Sequence, residues 1–315
     1  MADQIEDQKN IFHLSTIDQG ILTEIVRRAL NSKNVEVIDW NYSRVHGGAG
    51  DVGAVLSGVY RFTGKAHDQG KEKVWSLILK VVGTTASQDD PSEPRYWKRE
   101  VLAYQSGRLT ELPGGLTSPR FFGTHEFSEK VVGLWLEDIA DKVGSKWPLE
   151  YYGMVARHLG QFNGAFLTER DLPPWSWLSH DWLRALVAEN AASAARFSQT
   201  VDEPNVRRFY MDGDARRTLR LWEEREQYFA ALDRLPQTLL HRDAFRRNLF
   251  IRFDAAGNEQ IVAVDWSYTG IGAVGEEIVP LVHASLWFSE VPLVQAKQLE
   301  KICFEGYLAG LKEAG

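Results

Sequence analysis

Hydrophobic and polar positions follow two different rhythms along this chain. Ile17, Ile21, Leu22, Ile25, Val26 and Leu30 recur at helical spacing, with Ser15 and Asp18 ahead of them as a weak capping box. From Val35 to about Val82 the pattern changes to short runs rich in β-branched and aromatic residues, broken by glycine. It predicts strands near Val35–Val45, Ala54–Phe62 and Val74–Val82. The polar insert GKAHDQGKEK between the last two reads as a surface hairpin loop. Ser92–Leu109 reads as a helix, and Phe121–Phe127 with Lys130–Leu136 as a hairpin. Beyond Pro148 the helical period takes over. Tyr152, Val155, Leu159, Phe162 and Phe166 share one apolar face, and further helices are expected near Trp182–Phe197 and Ala215–Leu232. Two short strands, Leu249–Phe253 and Gln260–Val264, precede a helical end.

This order predicts an α+β fold in two lobes. Residues 1–137 form a β-rich lobe with one helix, and residues 138–315 a mainly helical lobe containing a small hairpin. A cleft between the lobes is the expected working site. Composition then narrows the function. Among 315 residues, 43 are acidic and 36 basic, a formal charge of -7 that argues against a nucleic-acid partner yet permits a local basic pocket. The single cysteine, Cys303, cannot form an internal disulfide and reads as a core residue. Neither a leader segment nor an apolar run long enough for a membrane span is evident, so no membrane association is expected and a cytoplasmic location is. Oligomeric state is not legible.

The segment LLHRDAFRRNLFIRFDAAGNEQIVAVDWS carries the strongest chemistry. His241, Asp243 and Asn248 precede one expected strand and Asp265 follows the next, so a hairpin brings them towards one end. A carboxylate at Asp243 can orient or accept the proton of an attacking hydroxyl. Asn248 and Asp265 offer the hard oxygen donors that suit Mg²⁺ on nucleotide phosphates. Upstream, Lys80 ends an apolar run and needs an anionic partner, which Glu100 can supply from a helix.

HRDAFRRN and VAVDW resemble the catalytic and metal motifs of the aminoglycoside phosphotransferase family and its small-molecule kinase relatives, which have the protein-kinase-like fold. The resemblance implies Asp243 as catalytic residue, Asn248 and Asp265 as metal ligands, and Lys80 paired with Glu100 on the phosphates. It also implies that LWLEDI is the adenine-reading connection, with Glu137, Asp138 and Ile139 in contact, and that Mg²⁺ acts with ATP or GTP on a small hydroxylated molecule. The glycine-rich stretch with Gly47, Gly48, Gly50 and Gly53 would then be a lid over the phosphates; which glycines between 47 and 58 touch them is not readable.

The chain departs from that family pattern at Arg242, at Ala244, and at Glu277, which is expected to clamp the catalytic loop through Arg242. The short passage from Asp265 to Glu277 leaves no room for a peptide-docking segment, so a small acceptor is favoured over a protein. Trp175, Trp177, Trp182, Trp266, Tyr268 and Trp287 are equally readable as acceptor-lining or as core residues. Asp171, Asp181, Glu276 and Glu277 are the acids available to a cationic acceptor, too few to favour a polycationic one. The alternatives left open are an aminoglycoside O-phosphotransferase conferring resistance and a catalytically weak kinase-like nucleotide-binding scaffold.

Overall fold

A computed structural model describes residues 13–45, 55–85, 89–141, 143–144, 146–208, 210, 213–253 and 256–315. The first amphipathic segment forms helix α1 (Gln19–Leu30), which buries Leu22, Ile25 and Val26. Its cap is Asp18, whose carboxylate accepts from the Ile21 amide at 2.9 Å, whereas Ser15 lies in a separate 3-10 turn. The capping box expected at Ser15 is therefore replaced by a cap three residues on, where a carboxylate reaches a free amide of the first turn.

Strands β1 (Val35–Arg44), β2 (Val55–Asp68) and β3 (Lys71–Thr84) follow, then helix α2 (Arg99–Gln105), the short β4 (Leu116–Thr117), β5 (Phe121–Ser128) and β6 (Val131–Glu137). One antiparallel sheet runs in the order β1-β2-β3-β6-β5. The polar insert is strand rather than loop. β2 and β3 stay paired from Val55↔Thr84 to Asp68↔Lys71, and only Gln69 and Gly70 turn the chain, both at positive φ (51° and 77°). Its charged residues form a solvent face, with Lys65 and Glu72 2.9 Å apart. The helix expected over Ser92–Leu109 shrinks to α2, because Pro91 and Pro94 lie in the turns that precede it.

The two-residue period of β3 decides what each face meets. Leu77, Leu79 and Val81 join Phe62, Trp75, Trp135 and the buried side of α1 in one core. Lys80 is sent to the opposite face.

The remaining elements are α3 (Leu149–Thr168), α4 (Trp182–Glu189), α5 (Ala191–Thr200), α6 (Pro204–Arg207), α7 (Asp214–Glu223), α8 (Arg225–Leu232), β7 (Gln237–Leu240), β8 (Leu249–Phe253), β9 (Glu259–Ala263), β10 (Gly270–Ala273), α9 (Ile278–Trp287) and α10 (Ala296–Glu313). The helices expected to be continuous over 182–197 and 215–232 each break, at Asn190 and at Glu224, which end one helix and open the next. β7 and β10 pair antiparallel, a ribbon that the pattern did not announce.

Two compact units result, one β-rich and one mainly helical. The first comprises 1–89, 97–145 and 247–267; the second comprises 90–96, 146–246 and 268–315. The division does not follow a single cut at 137/138, because β9 pairs in parallel with β4 and draws the β8–β9 hairpin into the first unit. In the second unit, α3 and α10 pack backbone to backbone at glycines. A Cβ on Gly310 would sit 1.9 Å from the Arg157 carbonyl oxygen, and one on Gly160 would sit 2.2 Å from that of Tyr307. Cys303, on α10, is buried as expected, and burial pushes its thiol up to about 12. Among the described residues, no helix is long and apolar enough to cross a membrane.

Candidate active site

Within the first unit, three of the sequence-derived residues converge. Lys80 Nζ lies 2.6 Å from Glu100 Oε2 and 2.8 Å from Asp265 Oδ1. Lys80 is delivered by β3, Glu100 by α2 and Asp265 by the turn after β9. Glu100 is fully buried, and its second oxygen accepts the Trp266 amide at 3.3 Å, which ties α2 to the turn carrying Asp265. Trp266 is itself fully buried, with its indole donating to the Ala263 carbonyl at 3.0 Å. It is a core anchor for the turn, and does not line an acceptor site.

The electrostatics follow from two carboxylates sharing one ammonium. Burial opposes the charge on Lys80, but Asp265, Glu100 and the hydrogen bonds to both raise its pKa above the usual lysine value. Burial raises the Glu100 carboxyl, with the Lys80 charge opposing and Asp265 adding to the rise. The ammonium thus stays charged, and the cluster keeps an excess of negative charge. Asp265 is its open side, about one-third exposed (33%).

The hairpin register explains why Asn248 and Asp265 come to the same end. Leu249 pairs with Ala263, and one step further the Val264 amide donates to the Asn248 carbonyl at 2.9 Å. Asn248 closes a 3-10 turn immediately before β8, and Asp265 follows Val264 in the left-handed region (φ 65°), a conformation aspartate tolerates. A carboxamide and a partly exposed carboxylate are the donors a hard cation takes when phosphate oxygens and water complete its shell, so the residues fit Mg²⁺.

Asp243 belongs to the second unit, on the loop after β7. The fully buried His241 accepts the Asp243 amide on Nδ1 at 3.2 Å, folding the loop around its own imidazole. Arg242 is held at φ 68°, unusual for a long side chain, and the cause lies in Glu277. The Glu277 carboxylate accepts the amides of His241 (2.7 Å) and Arg242 (3.1 Å). The clamp therefore acts through the backbone, and the guanidinium points elsewhere, to Ser179 and the Ile271 carbonyl. Burial pushes Glu277 up to about 7 although these amides oppose it, and burial brings Arg242 down to about 10.

Glu137 and Asp138 have committed side chains. Glu137 accepts the Arg120 amide at 3.1 Å and lies 3.5 Å from Arg252, while Asp138 takes Arg61 in a two-pronged pair at 2.8 and 3.0 Å and accepts the Ser76 hydroxyl. Ile139 is half-buried beside them. Gly47, Gly48, Gly50 and Gly53 lie outside the described residues. Trp175 and Trp177 stack on each other at 4.9 Å, and Trp182 packs against Tyr268 at 5.4 Å, whereas Trp287 is 74% exposed. Of the acids considered for a cationic acceptor, Glu277 is consumed by the loop and Glu276 accepts the Ala273 amide at 2.7 Å. Sequence reasoning passed over Phe245, Arg246, Phe288 and Glu290. Only their proximity to Asp243 in sequence could have drawn attention to the first two.

Comparison with known proteins adds to this geometry. Residues 180–310 match the model of the phosphotransferase enzyme family. Among solved structures, an amicoumacin kinase in complex with AMP-PNP, Ca²⁺ and its ligand is similar at 12% identity, over 100% of this chain and 81% of that one, with a TM-score of 0.51. The choline kinase of Cryptosporidium parvum Iowa II is similar at 13% identity, over 94% of this chain and 80% of that one, also with a TM-score of 0.51. No curated protein sequence matches significantly. The fold is the protein-kinase-like one, with a β-sheet first lobe and a helical second lobe.

Proposed function

We propose that this chain is a phosphotransferase moving the γ-phosphoryl group of ATP or GTP to a hydroxyl of a small molecule. The observation that carries the reading is the buried Lys80 ammonium held by Glu100 and also facing Asp265. A purely structural ion pair needs one carboxylate. A second one, partly exposed and next to Asn248 in the hairpin register, leaves negative charge suited to a cation. The phosphotransferase family match over 180–310, and the two similar structures named as kinases of small molecules, support the same class of reaction.

In the proposed mechanism, Glu100 fixes the Lys80 rotamer so that its ammonium meets phosphate oxygens. Asn248 and Asp265 would hold Mg²⁺, which when bound would neutralise phosphate charge. Asp243 orients the acceptor hydroxyl and takes its proton as the acceptor oxygen bonds to the γ-phosphorus and the bond to the bridging oxygen of the nucleoside diphosphate breaks. Glu277 preserves the loop shape that presents Asp243. With the Glu137 and Asp138 side chains committed and the Glu137 amide donating to the Arg120 carbonyl at 2.9 Å, the backbone of 138–139 is left to read the adenine edge. The acceptor is small, because the eleven residues between Asp265 and Glu277 hold a 3-10 turn and β10 and include no extended peptide-docking segment.

The test is a mass-spectrometric screen of metabolite and antibiotic pools with enzyme and MgATP, seeking the gain of one phosphoryl group. Asp243→Asn should keep nucleotide binding and slow transfer at least a hundredfold, and Asp265→Ala should weaken metal–nucleotide binding as well. Unchanged turnover in both variants would refute the assignment. Transfer to several aminoglycosides with simpler alcohols untouched would restore the resistance-enzyme alternative, and no transfer to any compound would favour the scaffold.

A further inference from the structure

The loop bearing Asp243 is held on both sides of that residue. Ahead of it, Glu277 takes the amides of His241 and Arg242. Just after it, the Phe245 amide donates to the Asp243 carbonyl at 3.0 Å, and the Phe245 ring lies 5.8 Å from that of Phe288. Arg246 Nε then meets Glu290 Oε1 at 3.0 Å, with side chains only 13% and 9% exposed. Arg247 opens the segment that returns to the first unit, so Arg246 is the last point at which the second unit holds the loop.

Glu290 is itself placed by the end of α9. Phe288 caps the helix and Ser289 stands in the left-handed region (φ 55°), where glycine is usual. The Ser289 and Glu290 amides donate to the Leu286 and Ser285 carbonyls at 3.0 and 2.9 Å. In this helix-ending motif the residue after the left-handed one commonly packs an apolar side chain back on the helix. Here that position carries a carboxylate, and the helix residue whose carbonyl it takes, Ser285, is fully buried.

Stability alone gives little reason for a charge at this point. Both ions lose hydration, so a buried pair gains little over apolar side chains of the same volume. Adhesion is already available from the contact of Phe245 with Phe288, which has little directional preference. Opposite charges in a poorly hydrated place are strongly penalised for separating, so the pair holds its two segments to one arrangement. Resting on the phosphotransferase reading above, we infer that Glu290 is a positioning residue. Through Arg246 it fixes the path by which the loop leaves Asp243, and so the aim of that carboxylate at the acceptor hydroxyl.

The experiment separates aim from stability with the double variant Arg246→Met, Glu290→Leu, which keeps the contact buried and removes both charges. It should melt within a few degrees of the parent protein. Hydrogen exchange at the Phe245 amide, followed by NMR, should nevertheless quicken about tenfold. The kcat for phosphate release from MgATP, with water as acceptor, should fall about tenfold while the KM for MgATP changes by less than about twofold. Glu290→Gln strands the Arg246 charge and should lower the melting temperature as well; it gives the same two readings should the double variant not fold. Glu224→Gln, in the exposed Arg220–Glu224 pair, should change none of them. Parental exchange at Phe245, or parental kcat, in the charge-free variant would overturn the inference, since the pair would then merely fill space. MgADP affinity and phosphate release are measured on the parent protein in parallel. Absence of both would defeat the phosphotransferase reading instead, and the exchange comparison would still decide whether the pair holds the loop.

Discussion

At the residue scale, Lys80 and Glu100 illustrate how stability and function separate. Removing one partner of a buried pair strands the other, so Lys80→Ala should cost about 3–5 kcal/mol, because Glu100 is fully buried. The double variant Lys80→Met, Glu100→Gln removes both charges and should recover much of that loss in denaturant melts without recovering nucleotide binding. Recovery of binding would show that Lys80 does not contact phosphate. Glu277 offers a pH test. Its folded pKa of about 7 lies above the ordinary glutamate value, so the folded chain holds a proton that the unfolded chain releases. The resulting stabilisation is complete below about pH 4.5 and is lost as pH rises through 7, about 3 kcal/mol in all at roughly 1.4 per unit. Glu277→Gln should flatten that slope between pH 4.5 and 7. Because a carboxamide offers one acceptor for two amides, it should also lower kcat about tenfold with little change in nucleotide KM. An unaltered stability profile would place the titration elsewhere.

At the element scale, the crossing of α3 and α10 is the clearest case of a role that only glycine fills. A Cβ on Gly310 meets backbone at 1.9 Å, whereas one on Gly153 meets first a methyl of Ile302 at 2.7 Å, which can turn aside. Gly310→Ala should therefore destabilise by about 3 kcal/mol or more and Gly153→Ala by markedly less, as judged by urea midpoints. Equal effects would mean that the helices separate freely. Such close packing is invisible in sequence, since glycines at these spacings also occur in weak helices. The alternation in β1 to β3, the hairpin β5–β6 and the apolar face of α3 were legible because one buried side imposes a period. β7 and β10 were not: QTLL is too short to show a period and GIGA has almost no side chains. The breaks at Asn190 and Glu224 carry neither proline nor glycine. Asp243, Asn248 and Asp265 stood out by spacing around a hairpin, whereas the Phe245–Phe288 and Arg246–Glu290 contacts join segments more than forty residues apart and leave no local pattern.

At the scale of the whole molecule, the chain is interleaved: the first unit closes only when residues 247–267 return to it. That return supplies the parallel partner of β4, the buried side chains of Leu249, Ile251, Ile261, Val262 and Trp266, and the Asp265 carboxylate facing Lys80. A fragment of residues 1–137 lacks all of these and should not melt cooperatively in circular dichroism, its Lys80–Glu100 pair notwithstanding. Joining residues 1–145 to 247–267 through a flexible glycine–serine linker restores every contact named, and that protein should show a sharp transition. It would also hold Lys80, Glu100, Asn248 and Asp265 without Asp243, which lies in the second unit. The fused unit should therefore bind MgATP, seen as a rise in melting temperature of several degrees at a hundred times Kd, yet transfer no phosphoryl group to any acceptor. A cooperative 1–137 fragment would show that the returning hairpin is dispensable to the fold. A fused unit that folds but ignores MgATP would place the nucleotide site's essential groups outside the first unit.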